Sequence, residues 1–356
     1  MDEVVNAWPS RLQQGWFVGA ESRRVSAKPL AVMLMGSPVV LARLPSGGLT
    51  ALEDRCPHRQ YPLSAGRITD AGLQCGYHGW TFGADGRCTR VPGLPEGRCP
   101  PRVGVRSFDV REHDGLVWIR ACPADAAVQP QLPDFIHHRH AGSLRFMQRL
   151  DWQGDAFDAL ENFMDPLHTH LIHPGMVRRD GGRRPVTTRP SRDGQGMTVT
   201  YEGPDEQNGL LYRLFESPRL LERAHHGVTA PGSACIEYRY RNGSALFFTL
   251  HFTPQEDWKT QVHASLHVEG RWAPAWAVRL FAWPFLRRVA RQDQAAVERQ
   301  ARNKQRFGPR KDASTELDIV SGYLRSIWHV EAGQAATATA TATATENPVE
   351  PVVLML

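Results

Sequence analysis

Two short stretches concentrate residue types that bind metals. "DRCPHRQYPLSAG" (54–66) sets Cys56 two positions before His58, and "QCGYHGW" (74–80) sets Cys75 three positions before His78. Two thiolates and two imidazoles can hold one tetrahedral zinc, or a [2Fe–2S] cluster with both cysteines on one iron and both histidines on the other. Zinc fingers with two cysteines and two histidines keep their histidines together on a helix, whereas here each loop carries one ligand of each kind. That alternation suits a cluster reached from opposite sides. Gly76 and Gly79 permit close backbone approach, Pro57 stiffens the first loop, and backbone N–H groups in such loops can donate to the sulfurs. Cys88, Cys99, Cys122 and Cys235 fall outside the pattern and read as small buried or part-exposed thiols.

A second stretch, "ENFMDPLHTHLIHPGM" (161–176), spaces Asn162, Asp165 and His168 three apart, so that on a helix they share one face. A straight helix would carry His173 about 140° around the axis from His168, so sharing a metal requires a bend. Pro166 and the pair Pro174–Gly175 supply one. His170, off the pattern, reads as structural.

The elements that must position these groups differ along the chain. From about 30 to 120, "AVMLM", "VVLARL", "LTALE" and "GLQCGYHGWTFGADGRCT" are short strands between turns, and "FDVREHDGLVWIR" is a hairpin turning at His113-Asp114-Gly115. This half is a small all-β domain. A Pro- and His-containing linker (122–140) follows. Beyond 141, helical "DWQGDAFDALENFMDPLHTHLIH", strands "MTVTYEG", "ACIEYRYRN" and "SALFFTLHFTP", and polar helix "RRVARQDQAAVERQARNKQ" make an α+β domain with a curved antiparallel sheet. The Thr-Ala repeat from about 333 has little that can pack and reads as a disordered tail, 333–356.

Bulk properties exclude several classes. The net charge of +5 comes from Arg residues scattered among acids, with no basic block for nucleic acid. "WAPAWAVRLFAWPFL" (272–286) is too short and too interrupted to span a membrane and reads as core or pocket wall. Six cysteines in 356 residues are too few for a disulfide framework, and the opening residues lack a secretory pattern, so the expected compartment is the cytoplasm.

"CPHR", then "CGYHGW" with sixteen residues between His58 and Cys75, resembles the Rieske iron–sulfur signature. Followed by D-x-x-H-x-x-x-x-H, it resembles the Rieske non-haem iron oxygenases, and the resemblance covers residues 1 to about 325. It implies a Rieske [2Fe–2S] domain at 1–140, its cluster held by Cys56, His58, Cys75 and His78. It also implies a helix-grip (START-like) catalytic domain at 141–332, where His168, His173 and a distant carboxylate hold one Fe(II) as a facial triad. Asp293 in "ARQDQAAVERQ" is the expected carboxylate, because the family shows an acid ahead of a helix ending in Glu and Gln, here Glu298 and Gln300; Asp312 and Glu298 are the reserves. Asp165 is then the acid bridging a cluster histidine to an iron-bound one, with Asn162 beside it. Further implications are a homotrimer in which His78 of one subunit meets Asp165 of the next, and a separate NAD(P)H-dependent reductase or ferredoxin. O2 and a small, aromatic substrate are consumed, by mono- or dioxygenation or by oxidative demethylation. Expected pocket walls are Phe157, Leu160, Met164, Leu246, Phe248, Leu250, Phe281 and Trp283. Two rival classes are an electron-transfer Rieske protein without oxygenase activity, which needs only the first constellation, and a metal-free helix-grip ligand binder.

Overall fold

Alternating apolar runs broken by Gly and Pro turns become short antiparallel strands in the computed structural model, which describes residues 8–122, 132, 144–179, 181, 183–192, 196–202, 221–229, 232–240, 243–270, 274–308, 312–328 and 350–356. The chain divides into two compact units, 1–132 with 253–257 and 133–252 with 258–356. The expected linker at 122–140 lies almost wholly outside the described residues.

The first unit is built of strands, with only short helical turns at Ser10–Gln13, Ser22–Arg24 and Leu63–Ala65 among its described residues. Strands β1 (Phe17–Glu21), β2 (Leu30–Leu34), β3 (Ser37–Arg43), β4 (Leu49–Glu53), β5 (Arg67–Thr69), β6 (Gly72–Gln74), β7 (Thr81–Phe82), β8 (Cys88–Arg90), β9 (Ser107–His113) and β10 (Leu116–Arg120) form two sheets. Their orders are β1-β10-β9-β4-β3-β2 and β5-β6-β7-β8. The expected hairpin turns at Asp114 (φ 52°) and Gly115 (φ 70°), the paired positive angles of a type I′ turn. Val40, Leu52, Leu63, Leu73 and Phe82 form one core cluster, and Cys56 and Cys75 are part of it. The two Cys/His loops thus lie against an apolar core.

The second unit is built on one antiparallel sheet of β11 (Leu144–Trp152), β12 (Pro185–Arg192), β13 (Gly196–Glu202), β14 (Leu221–Thr229), β15 (Ser233–Tyr240), β16 (Ala245–Glu256), β17 (Lys259–Glu269) and β18 (Val352–Met355). The strand order is β11-β17-β16-β15-β14-β13-β12-β18. Its helices are α1 (Ala156–Met164), α2 (Thr169–Ile172), α3 (Trp283–Phe307) and α4 (Ser321–Trp328). A short turn of helix, Ala275–Ala277, and a π turn, Val278–Ala282, lead into α3. Val278 and Ala282 pack with Tyr240, Leu246, Leu266 and Val268 on the sheet.

Four expectations need correction. The helix read through 151–173 is broken: α1 ends at Met164 and Asp165 is extended (φ −81°, ψ 118°) because the following proline disfavours helical backbone at Asp165. Asn162, Asp165 and His168 therefore do not lie along one helix face. The apolar stretch 272–286 is not all wall, since Trp276, Leu280 and Phe281 are exposed on the outer side of the π turn. Phe157, Leu160, Met164 and Leu246 are core residues. Finally, the tail is not structureless to its end. Residues 333–349 lie outside the described residues, but Val352–Met355 pairs with β12, and Leu354 is fully buried.

Phe82 is fully buried at the centre of the first unit's cluster. Replacing it with Ala is expected to cost ~3–5 kcal/mol of that unit's stability, read as a lowered denaturant midpoint.

Candidate active site

The two Cys/His loops of the first unit share one backbone frame. In the first, Cys56 N–H donates to Tyr61 C=O (2.9 Å) and Gln60 N–H donates back to Cys56 C=O (2.9 Å). In the second, Cys75 N–H donates to Trp80 C=O (2.8 Å) and Gly79 N–H donates to Cys75 C=O (3.1 Å). The fifth residue of each frame is left-handed, Gln60 at φ 59° and Gly79 at φ 72°. Asp54 ties down the first loop by accepting from Ser64 N–H and Oγ–H, both at 2.6 Å.

These frames bring the four side chains together. The His58 and His78 rings are 4.5 Å apart between centroids, and His58 stacks on Trp80 at 4.8 Å. His78 is exposed, whereas Cys56 and Cys75 are buried and carry no disulfide. Burial pushes the Cys56 thiol up to about 11, against the amides of His58 and Arg59 that point at its sulfur. Burial, with His78 and Arg59 nearby, lowers the His58 pKa. Two buried thiols facing two imidazoles match the donor set of a Rieske cluster.

In the second unit, α1 starts with Asp155 as N-cap, its carboxylate accepting from Phe157 and Asp158 N–H. Where α1 stops, Asp165 turns its carboxylate onto the next residues, accepting from Leu167 N–H (2.8 Å) and His168 N–H (3.1 Å). That turn hands the chain to α2, with His168 at its start and His173 just past its end. Opposite, α3 presents an inner stripe in which Leu286, Val289 and Ala290 line a pocket, Asp293 follows, and Val297 and Ala301 are buried. A side chain on Gly154 would meet Val297 at 2.7 Å, so only glycine lets α3 lie this close to the start of α1.

The structure brings His168, His173 and Asp293 together, with one ligand atom of each within 4.8 Å of the others. Asp293 Oδ1 lies 2.8 Å from His173 Nε2 and 3.3 Å from His168 Nε2. Asp165 Oδ2 approaches His168 from the other side, 3.6 Å from Nδ1. Neither Asp293 Oδ1 nor His168 Nδ1 completes a well-formed hydrogen bond, although both atoms are buried. Burial opposes charge on Asp293 and Asp165, yet the neighbouring imidazoles outweigh it and hold both carboxyls below their ordinary range. Burial lowers the His168 pKa, but Asp165 and Asp293 overcome this and raise it to about 9. Two imidazoles and one carboxylate converging around under-partnered buried atoms fit a divalent ion held on one face, with positions left open.

Gln292 is a member that sequence reading overlooked. His173 Nδ1–H donates to Gln292 Oε1 at 2.9 Å, which orients the ring with Nε2 toward Asp293, the atom a metal would take. Its only sequence signal is adjacency to Asp293. The reserve acids are engaged elsewhere: Glu298 accepts from Gln153 N–H and Gln294 Nε2, and Asp312 pairs with Lys304 and Arg325. His170 is buried with Nδ1 3.4 Å from Arg179 C=O.

Asn162 stands between two cavities. One, about 100 Å³, is apolar, is lined by Phe163, Phe248, Leu250, Trp283 and Leu286, and reaches Asp293. The other, about 260 Å³, is polar and is lined by Asp158, Glu161, Asp165, Asp312 and Arg325 among others.

Comparison with known proteins bears on both units. The Rieske [2Fe-2S] domain family matches residues 15–109, and the vanillate O-demethylase oxygenase C-terminal domain family matches 155–329. The chain is 40% identical over 263 residues to the dicamba O-demethylase oxygenase component of Stenotrophomonas maltophilia, covering 73% of this chain and 72% of that one. It is 33% identical over 240 residues to a putative toluene-4-sulfonate monooxygenase system iron-sulfur subunit of Comamonas testosteroni, covering 63% and 69%. The solved structure of Pseudomonas putida NdmA with caffeine has the same fold, at 23% identity, TM-score 0.76 and 97% coverage of each chain.

The chain belongs to the Rieske non-haem iron oxygenases. It is an enzyme, the oxygenase component of a multicomponent system, with a Rieske [2Fe–2S] cluster and a mononuclear iron as cofactors and a separate reductase or ferredoxin as electron donor.

Two outcomes test the site. Because His168 titrates near 9 without metal, binding of cobalt(II) at pH 7 must displace its proton: about one proton is released per site, with affinity rising up to pH ~9 and levelling above, by calorimetry in buffers of different ionisation enthalpy. Gln292→Leu is expected to weaken cobalt(II) binding roughly 10–100-fold while leaving the cluster's spectrum unchanged.

Proposed function

We propose that the chain oxidises a small aromatic substrate, by hydroxylation or oxidative demethylation, beside an iron held by His168, His173 and Asp293. The observation that carries this reading is the juxtaposition of that trio with an apolar cavity that reaches Asp293. A volume of about 100 Å³ is of the order that holds one benzene ring. The named activities of relatives, dicamba O-demethylase and methylxanthine N1-demethylase among them, point the same way.

When bound, the mononuclear iron supplies O2 activation, and the cluster supplies electrons one at a time. The chain's own groups do the rest. Gln292 holds His173 in the tautomer that offers Nε2, Phe248 and Trp283 exclude water from the substrate's ring, and Asn162 borders the same space from α1. Asp165 sets the orientation of His168 from behind, with its side chain 39% exposed toward the polar cavity and thus accessible to a further partner.

That partner, on this reading, is the cluster-bearing tip of a neighbouring subunit in a homotrimer, with Cys56, His58, Cys75 and His78 as cluster ligands and His78 facing Asp165 of the next subunit. Charge complementarity supports it: Arg55, Arg59, Arg67 and Arg90 are exposed around the cluster loops, and the cavity beside Asp165 is rich in acids. The domains follow the same division, a Rieske domain within 1–140 and a catalytic domain from 141. All six cysteines are free, which suits a reducing cytoplasm, and no helix among the described residues is long and apolar enough to cross a membrane.

Anaerobic preparation should contain about three irons and about two labile sulfides per chain, and His168→Ala should fall to about two irons with the Rieske spectrum intact. Two irons in both proteins would reduce the chain to an electron carrier. Asp165→Asn should keep all the metal yet slow electron transfer from the reduced cluster, in single-turnover measurements, by at least about tenfold.

A further inference from the structure

We infer that strand β18 is a clamp that holds the Asp165–His168 turn in its metal-binding shape; the metal half of this inference rests on His168 being an iron ligand. The apolar "VVLML" that follows the Thr-Ala run has no part in the oxygenase chemistry described above. It forms the edge of the eight-stranded sheet, with Val352 to Met355 paired antiparallel to Thr188 back to Pro185. One residue further on, Arg184 and Leu356 exchange two backbone hydrogen bonds (2.7 and 2.9 Å), and Thr188 Oγ–H donates to Val352 C=O at 2.6 Å.

Side chains alternate as a half-buried strand requires. Val353 and Met355 face outward, while Leu354 and Leu356 turn in and cluster with Val186. The turn residue that packs against this cluster is Leu167. Leu167 lies between Asp165, whose carboxylate caps its N–H, and His168, whose N–H the same carboxylate also accepts. Leu354 and Leu356 thus bear on the side chain at the middle of the turn that aims His168. An edge strand pairs on one side only and is among the easiest elements of a sheet to open. Release of β18 would withdraw the packing from Leu167 and loosen the turn, so retention of the catalytic metal is coupled to docking of residues 350–356.

The test uses the full chain carrying its cluster. Leu354→Asp removes the inward anchor, and Val353→Asp places the same charge on the outward side. The readouts are cobalt(II) titration of the mononuclear site, hydrogen exchange of the amides of Asp165 and of 167–169, and the Rieske visible spectrum as a control on the other unit. Leu354→Asp is expected to weaken cobalt(II) binding at least about tenfold, the scale of support lost behind a metal ligand, and to speed exchange at those amides. Val353→Asp should stay within about twofold of wild type on both readouts, as surface substitutions do. If Leu354→Asp fails to fold, Leu354→Ala should move both readouts in the same direction. A folded Leu354 variant with unchanged affinity and unchanged exchange overturns the clamp. Wild type that takes up no cobalt(II) overturns the metal reading instead, and the exchange comparison still decides whether β18 holds the turn.

Discussion

A carboxylate buried between two imidazoles is the constraint around which the second unit is arranged. Asp293 is charged in a largely apolar setting, which a protein tolerates only when opposite charge or a metal stands against it. The three groups come from separate places: His168 from the start of one short helix, His173 from its end, and Asp293 from the middle of a 25-residue helix. Bringing them within bonding reach of one point therefore demands two supports. A broken α1–α2 segment swings both histidines inward, and a close approach at Gly154 presses α3 against the start of α1.

The first unit solves a different problem, keeping reactive thiols dry while leaving one imidazole edge in reach. Cys56 and Cys75 belong to the hydrophobic core, and the raised Cys56 pKa measures how strongly that environment opposes a bare thiolate. His58 stacks flat on Trp80, but His78 projects into solvent. The two histidines are chemically alike and positionally unequal, which gives this end of the unit a front and a back.

Much of this was legible from residue types and spacing, for physical reasons that also mark where legibility ends. The Cys/His loops are local, and each frame closes within six residues, so spacing carries them. Strands β2 to β4 and the Asp114–Gly115 turn were readable because side-chain alternation and turn chemistry are local too. The break at Asp165 was signalled by Pro166 but its consequence was not, because a capping carboxylate replaces a helical turn only when its neighbours pack. Asp293 was reached by family resemblance; the physical sign was present as one acid in an otherwise apolar inner stripe of α3. Gln292 and β18 depend on contacts across more than a hundred residues, which periodicity cannot report. A short apolar run after a low-complexity repeat has no partner in its own neighbourhood, and its partner strand lies far back along the chain.

The π turn at Val278–Ala282 has a bearing on how this lineage can vary. Such a turn takes up one residue more than an α-helical turn, so it resets the register between its own buried pair, Val278 and Ala282, and the buried side of the helix that follows. Val278 and Ala282 stay against the sheet while Asp293, further along, stays aimed at the histidines. Length can be gained or lost at that point without rotating the catalytic end, as a slipped joint lets a rod change length while its far end keeps its heading. The exposed Trp276, Leu280 and Phe281 beside it take no part in that alignment, whereas Asp293 downstream depends on it.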